Sequence, residues 1–295
     1  MVLATIPFVA ESATVGSNGS ESAEVKSSPQ KAKKSIYLIP DTAKYKITYS
    51  VAFVRDTTNF SDKKDAFVVT LVGNKCAQFI DKYELDYHLL SDSLTIANVP
   101  RDEAKRKRMK VKMLSTFSES IIMNYPEKDV NTFQSYLSGS FRRFEDAKAI
   151  QNWKIERDTK EILGYKCRKA TCRFRGRDYE AWYAEELPIP YGPYQFRGLP
   201  GLILELSDTN KEYVFNIVGL ERPEKVIPLR IFDGKAVEKI SREDFWFLHR
   251  YYNDNAAAGL LNNSGSIKLK LTPEQEKELE KRLNRPRPYN PIEKE

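Results

Sequence analysis

The stretch "GPYQFRGLPGLILEL", residues Gly192 to Leu206, contains a higher density of glycine and proline than any other part of the chain. Pro200 fixes φ at about −65°, which suits the second position of a turn, and Gly201 can supply the positive φ that the third position of a type II turn requires. Leu202, Leu204 and Leu206 then occupy every second position, which is the period of a strand with one apolar face. The stretch therefore predicts a sharp bend that leads into a core strand.

The chain on both sides of this bend carries the pattern of consecutive antiparallel strands. Residues 43–55 alternate apolar and polar side chains, and residues 66–81 are typical of two strands joined at Gly73 and Asn74. Short β-rich segments continue to Leu220, including a hairpin predicted at 209–211, and no alternation of strands with helices interrupts them. The sequence therefore predicts a mainly β fold with some α-helix, built as a single domain on a curved antiparallel sheet.

Three segments carry helix signals. Pro100 and the acidic residues after it predict a helix over the basic run that follows, although apolar residues in that run alternate as in a strand: Met109, Val111 and Met113. Ser241 can cap a helix over residues 242–254, and Thr272 begins a capping box with proline at the first helical position. We therefore expect helices near the C-terminus, followed by an extended tail.

The first 35 residues differ in composition from the rest of the chain. A short apolar run from Val2 to Ala10 is similar to the end of a secretory signal peptide but lacks a positively charged start. Residues 12–35 are rich in small and polar residues that cannot form a core. We therefore expect residues 1–35 to be a signal remnant and flexible leader, and residues 36–295 to form the domain. No apolar run reaches about 18 residues, so no transmembrane span is predicted.

Cysteine and histidine residues give little support for a reactive centre. Cys76, Cys167 and Cys172 lack the spacing of a zinc site, and the sequence leaves open whether two of them form a disulfide. His88 and His249 lie outside every metal-binding and nucleophile motif. We therefore expect no metal, no cofactor and no catalytic residue.

The charge of the chain favours anionic partners only mildly. The net charge is +7, from 48 basic and 41 acidic residues. The basic run Lys105–Lys112 has no aromatic residues interleaved with it, so we expect a solvated helix or strand face there and no nucleic-acid binding.

Cations and aromatic residues occur together before the bend. A basic row that includes Arg173 borders Trp182 and Tyr183. Arginine beside exposed aromatic rings can bind an anionic or amphipathic ligand, while the alternative is a solvent-facing hairpin with its tryptophan in the core. If the bend brings Phe196 to the same rim of the sheet, these four residues form the candidate ligand-binding site.

The segment "GYKCRKATCRFRGRDYEAWYAEELPIPYGPYQFRGLPGLILEL" resembles the signature of the GLPGLI family. The name of that family is the hexapeptide that stands here as Gly198-Leu199-Pro200-Gly201-Leu202-Ile203, and the resemblance extends over residues 40–293. It implies an exported protein of the Gram-negative cell envelope, periplasmic or associated with the outer membrane, often encoded near outer-membrane receptors. The resemblance implies no activity and no catalytic residues.

Two functions are consistent with these features. The first is a non-catalytic binding or structural module for an apolar or amphipathic ligand or an envelope partner, with an outer-membrane receptor as one candidate. The second is a hydrolase with an unrecognised active site. A large apolar cavity would favour the first, and convergent polar side chains with shifted pKa values would favour the second.

Overall fold

The parts of the chain that the computed structural model describes are residues 37–137, 139–147, 150–235, 237–255, 257, 272–284 and 287–294. The expectations for the leader, residues 1–35, lie outside these residues.

Strands dominate the described residues. They are β1 (Tyr37–Leu38), β2 (Tyr45–Val54), β3 (Lys63–Val72), β4 (Ala77–Asp81), β5 (Glu119–Met123), β6 (Asn131–Leu137), β7 (Ser140–Asp146), β8 (Lys154–Ile162), β9 (Tyr165–Phe174), β10 (Arg177–Ala184), β11 (Leu202–Asp208), β12 (Tyr213–Glu221), β13 (Ile231–Phe232) and β14 (Val237–Lys239). The helices are α1 (Lys82–Ile96), α2 (Arg101–Lys112), α3 (Arg242–Asp254) and α4 (Pro273–Leu283).

Most of these strands belong to one sheet, in the order β14-β7-β6-β5-β4-β3-β2-β12-β11-β10-β9-β8. Neighbouring strands are antiparallel, except that β14 runs parallel to β7. Separately, β1 and β13 form a short antiparallel pair. The predicted mainly β fold, with an antiparallel sheet and C-terminal helices, is confirmed.

The signature segment, defined here as residues 187–203, packs inside the curve of this sheet. The Tyr194 ring lies 5.6 Å from the ring of Phe79 in β4, whereas the Phe196 ring lies 4.5 Å from that of Tyr179 in β10. All four rings are buried. Because β4 and β10 belong to different halves of the sheet, the signature segment joins the two halves in one apolar core.

The backbone of the bend differs from the predicted type II turn. Gly198 has the positive φ, 92°, and Gly201 is not among the glycines with positive φ. Gly201 is required for space, because a Cβ atom there would lie 2.0 Å from the carbonyl oxygen of Ala184. The prediction of a positive φ at Gly201 is wrong: close approach to the end of β10, rather than turn geometry, excludes a side chain.

The extended C-terminal tail, residues 287–294, is fixed to the concave side of the sheet by a buried arginine. Arg177 donates to the carbonyl oxygens of Pro291 (2.6 Å) and Ile292 (3.0 Å) and also pairs with Asp208 and Glu212. This network pairs a buried cation with carboxylates and with backbone acceptors, as burial of a charge requires.

Helix α1 was not predicted, because Lys82–Ile96 lacks a wide apolar stripe and only Leu85 and Leu94 are buried. Asp81 caps it by accepting from the backbone N–H of Tyr83 (2.8 Å) and Glu84 (3.3 Å). With residues 227–231, α1 covers a second apolar cluster on the convex face of the sheet.

The other helices follow their sequence signals closely. Helix α2 forms over the basic run, with Pro100 as the N-cap residue rather than the first helical position. Ser241 caps α3, and Thr272 with Gln275 forms the predicted capping box of α4.

Candidate functional site

A cavity of about 250 Å³ lies on the convex face of the sheet, opposite to the signature segment. Alternation along β4, β5 and β6 directs Gln78, Ser120 and Gln134 toward it, while Glu119 and Ser135 point to the other face of their strands. The remaining lining residues are Tyr37, Ile80, Asp81, Glu84, His88, Lys112, Ser115, Thr116, Phe117, Ser118, Tyr136, Phe141, Arg230 and Phe232.

One wall of the cavity is a segment held to the sheet by two side-chain amides. We call residues 227–232 the strap. Gln78 accepts from the N–H of Arg230 (2.9 Å) and donates to its carbonyl oxygen (3.0 Å), and Gln134 makes the same two bonds, both 2.8 Å, with Phe232. Each glutamine side chain therefore makes the same two hydrogen bonds to a strap residue that the backbone of a neighbouring strand would make. The strap is therefore fixed across the face of the sheet and gives the cavity a rigid edge.

Four aromatic rings form a continuous row along this edge, which we call the aromatic row. Phe232 packs edge-on against Tyr37 (5.7 Å) and stacks on Phe141 (3.9 Å), and Phe141 packs edge-on against Tyr136 (5.1 Å). Tyr136 is 45% exposed. The row therefore offers apolar ring surface to a ligand in the cavity, which is a common use of aromatic residues at binding sites.

Ionisable side chains of both signs face the aromatic row. Lys112 pairs with Glu84, and His88 Nε2 lies 3.6 Å from Glu84 Oε1. Arg230 pairs with Asp92 and lies 5.6 Å from the ring centre of Tyr37. The cavity thus combines apolar rings with hydrogen-bonding groups of opposite charge.

Burial sets the protonation of two groups in the cavity wall. It lowers the pKa of His88, and the nearby Glu84 only partly opposes this effect. Burial also raises the pKa of Tyr37 to about 12. At neutral pH, His88 is therefore a neutral imidazole and Tyr37 a neutral phenol, and each can donate or accept a hydrogen bond.

The loop between α2 and β5, which lines the cavity with residues 115–118, is fixed by Asp81. Besides capping α1, the Asp81 carboxylate accepts from the N–H groups of Thr116 (2.8 Å) and Phe117 (3.0 Å). It is buried and makes four backbone hydrogen bonds, so its role is to hold α1 and the loop in place.

The structure does not bring the predicted site residues together at a rim. Trp182 and Tyr183 are successive strand residues on opposite faces, and Tyr183 and Phe196 are fully buried. Trp182 is half-buried on the outer face, where Lys160 Nζ lies 4.4 Å from its ring centre. Arg173 is exposed and pairs with Asp178. The predicted rim location is therefore wrong for Tyr183 and Phe196, because the bend turns into the core.

The three cysteines are free and buried. Burial raises the pKa of each thiol, to about 12 for Cys76 and Cys172 and to about 11 for Cys167. None is therefore a thiolate at neutral pH.

In the described part of the chain, no three His, Cys, Asp or Glu side chains are grouped to hold a metal. No helix among these residues is long and apolar enough to span a membrane.

The cavity could not be predicted from the sequence, because the residues that line it come from distant segments between Tyr37 and Phe232. The local sequence feature that could have indicated the cavity was the i, i+4 spacing of Glu84 and His88, which brings two side chains together only on a helix. Since α1 was not predicted, that spacing could not be recognised.

Comparisons with known proteins match a family model and chains of solved structures. The model of a family described as "N-glycanase peptide, N-terminal domain" matches residues 95–240, just under half of the chain. This segment includes Lys112, Tyr136, Phe141 and the strap. The comparison with curated proteins found no match.

Two of the matching solved structures are crystal forms of PNGF-II. The chain is 16% identical to each, with a TM-score of 0.47 in space group C2 and 0.44 in space group P21. The matches cover 70% of this chain and 32% and 33% of the respective PNGF-II chains. This chain therefore spans about a third of the length of the structures it matches.

Proposed function

We propose that the protein is a non-catalytic carbohydrate-binding module, with its ligand in the cavity beside the aromatic row. The observation that carries the proposal is the partly exposed row next to polar and charged groups in a preformed cavity. A sugar matches such a cavity because it is amphipathic. Its C–H faces pack on aromatic rings, and its hydroxyl groups donate and accept hydrogen bonds.

The size of the cavity supports a small ligand. Pockets for drug-sized ligands occupy roughly 300–1,000 Å³, and this cavity has a volume of about 250 Å³. One sugar ring, with the rest of an oligosaccharide extending past Tyr136 into solvent, fits that volume better than a long lipid chain does. Glu84, His88 and Lys112 are placed to bind hydroxyl or amide groups of such a ring.

The family match supports the same ligand class. The matched family is described as an N-glycanase N-terminal domain, a name that refers to glycans. We propose a sugar unit of a glycan as the ligand, in N-acetylated form, because an acetamide group can form hydrogen bonds with Glu84, His88 or Lys112. Membership of the GLPGLI family, export to the periplasm or outer membrane, and an outer-membrane receptor as partner stay predictions of the sequence.

The hydrolase alternative has one feature in its favour, the neutral His88 beside Glu84. Within the described residues, no serine, threonine or cysteine is hydrogen-bonded to His88, so no nucleophile and base are paired there. Incubation of the protein with a glycopeptide, followed by mass spectrometry, would detect cleavage and decide for the hydrolase.

The binding proposal is tested by titrating the protein with N,N′-diacetylchitobiose in a calorimeter. We expect Tyr136→Ala to weaken binding by about tenfold, a free-energy loss of about 1.4 kcal/mol. Tyr251→Ala is the matched control, because Tyr251 is a similarly exposed aromatic residue (40%, against 45% for Tyr136) on α3, outside the cavity.

The control variant should bind the disaccharide as the unmodified protein does. Equal losses in the two variants, or no binding by the unmodified protein, would overturn the proposal.

A further inference from the structure

The outer side of helix α2 combines exposed apolar and cationic side chains. Met109 is 47% exposed and Met113, just after the helix, is 79% exposed. Lys105, Arg106 and Lys110 are exposed beside them. Because these five residues recur at the helical period, they form one surface, which we call the basic face.

Acidic residues form no ion pair with the basic face in the described part of the chain, although Glu103, which pairs with Lys107, also interacts electrostatically with Arg106. Among the ion pairs of the described residues, α2 contributes Lys107 with Glu103 and Lys112 with Glu84, and none involves Lys105, Arg106 or Lys110. Helix α2 contains seven Lys and Arg residues against two acidic ones. The three cations of the basic face are therefore available to an external anionic surface.

Apolar exposure continues past the end of the helix. Leu114 is 55% exposed and follows Met113 directly. Helices that lie in a membrane interface also combine exposed apolar side chains, which enter among the acyl chains, with lysine and arginine, which contact the headgroups. A surface that bound acidic macromolecules by charge alone would not require these apolar side chains.

We propose that the basic face docks the protein on the surface of an anionic lipid bilayer. Lys105, Arg106 and Lys110 contact the headgroups, and Met109, Met113 and Leu114 enter the interface. Charge complementarity and the exposed apolar side chains both favour this partner, whichever ligand occupies the cavity. Lys112, which lines the cavity, immediately precedes Met113, so docking would hold the cavity close to the bilayer.

The test is co-sedimentation of the whole protein with two kinds of vesicle, pure phosphatidylcholine and phosphatidylcholine with about a third phosphatidylglycerol. We expect binding to the anionic vesicles alone, weakened by salt because the Debye length falls from about 10 Å at 0.1 M to about 3 Å at 1 M. The variant K105Q/R106Q/K110Q should lose at least about tenfold in affinity for anionic vesicles. The matched control K154Q/K166Q/K225Q removes three other exposed charges and should lose less than about twofold.

The apolar part is tested separately. M109S/M113S should also weaken binding by about fivefold, whereas V226S/I150S, which changes two other exposed apolar side chains, should not. Equal binding to neutral vesicles, or equal losses in variants and controls, would overturn the proposal. If M109S/M113S binds normally while heparin displaces the protein, the partner is an acidic macromolecule and the bilayer proposal is wrong.

Discussion

The concave face of the sheet and the cavity on its convex face use the same residue types in opposite ways. On the concave face, Glu293 is buried and accepts from Tyr194 (2.6 Å), Gln195 (2.6 Å) and Arg242. In the cavity, Glu84 pairs with Lys112 at a solvent-accessible wall.

Tyrosine shows the same contrast. Tyr194 is completely packed between rings, whereas Tyr136 is 45% exposed at the end of the aromatic row. The signature segment, the most distinctive motif of the sequence, therefore serves packing. The space and the accessible polar groups that a ligand needs lie on the other side of the sheet.

The largest expected effect on stability concerns the packing of the signature segment against β10. Gly201→Ala should cost at least about 4 kcal/mol, because the new Cβ atom would lie 2.0 Å from a backbone oxygen that cannot move without shifting β10. Gly198→Ala should cost about 1 kcal/mol, because Gly198 has a positive φ but open space around it. Denaturant unfolding of both variants measures the difference. Equal losses would contradict the close-approach explanation.

The next effect concerns the core around the signature segment. Phe196→Ala should lower the free energy of unfolding by about 3 to 4 kcal/mol, because a fully buried ring is removed from between four aromatic neighbours. Phe60→Ala, at a 46% exposed position, should change it by less than about 0.5 kcal/mol. If Phe196→Ala were as mild as its control, the ring would belong to an exposed rim as the sequence suggested.

A pH effect separates the two histidines. Burial lowers the pKa of His249 to about 4, since its ring packs on Phe245 and Trp246 and its Nε2 has no hydrogen-bond partner in the described residues. Between about pH 6.5 and pH 4 the unfolded chain therefore binds a proton that the folded chain does not. The free energy of unfolding should fall by about 3 kcal/mol as the pH drops through this window.

His249→Phe should remove that part of the pH dependence. His88→Gln should remove a smaller part, because Glu84 opposes the effect of burial on the pKa of His88. Urea unfolding at several pH values measures both slopes. A slope unchanged by His249→Phe would show that the pKa of His249 is not lowered in the folded protein.

The smallest effect on stability is expected at the cavity itself. Tyr136→Ala removes a side chain that is nearly half exposed, so it should change the free energy of unfolding by less than about 1 kcal/mol while weakening sugar binding. Thermal unfolding measured beside the calorimetric titration separates the two effects. A large loss of stability would place Tyr136 in the core and break the contrast with Tyr194.

Strand patterns were the most predictable part of the fold. The alternation in residues 43–55, the turn at Gly73 and the hairpin at 209–211 are local properties, and β2, β3, β4, β11 and β12 form where they predict. Helix α1 was missed because only two of its residues are buried, so tertiary contacts and the Asp81 cap define it more than periodicity does.

The candidate site was not predictable for a different reason. Gln78, Gln134 and the strap meet only after the sheet has formed, because up to 152 residues separate the hydrogen-bonded partners. The sequence did identify a residue that must be glycine at position 201, although for close approach rather than for positive φ. Local patterns determine turns and strands, whereas a cavity between elements depends on packing that a single sequence does not display.

A crystal structure of the protein with N,N′-diacetylchitobiose would show directly whether the cavity binds sugar. We expect one sugar ring in the cavity, packed against Tyr136 and Phe141 and hydrogen-bonded to Glu84 or His88. Sugar bound instead beside Trp182 or at the signature segment, with the cavity empty at saturating ligand, would contradict this expectation.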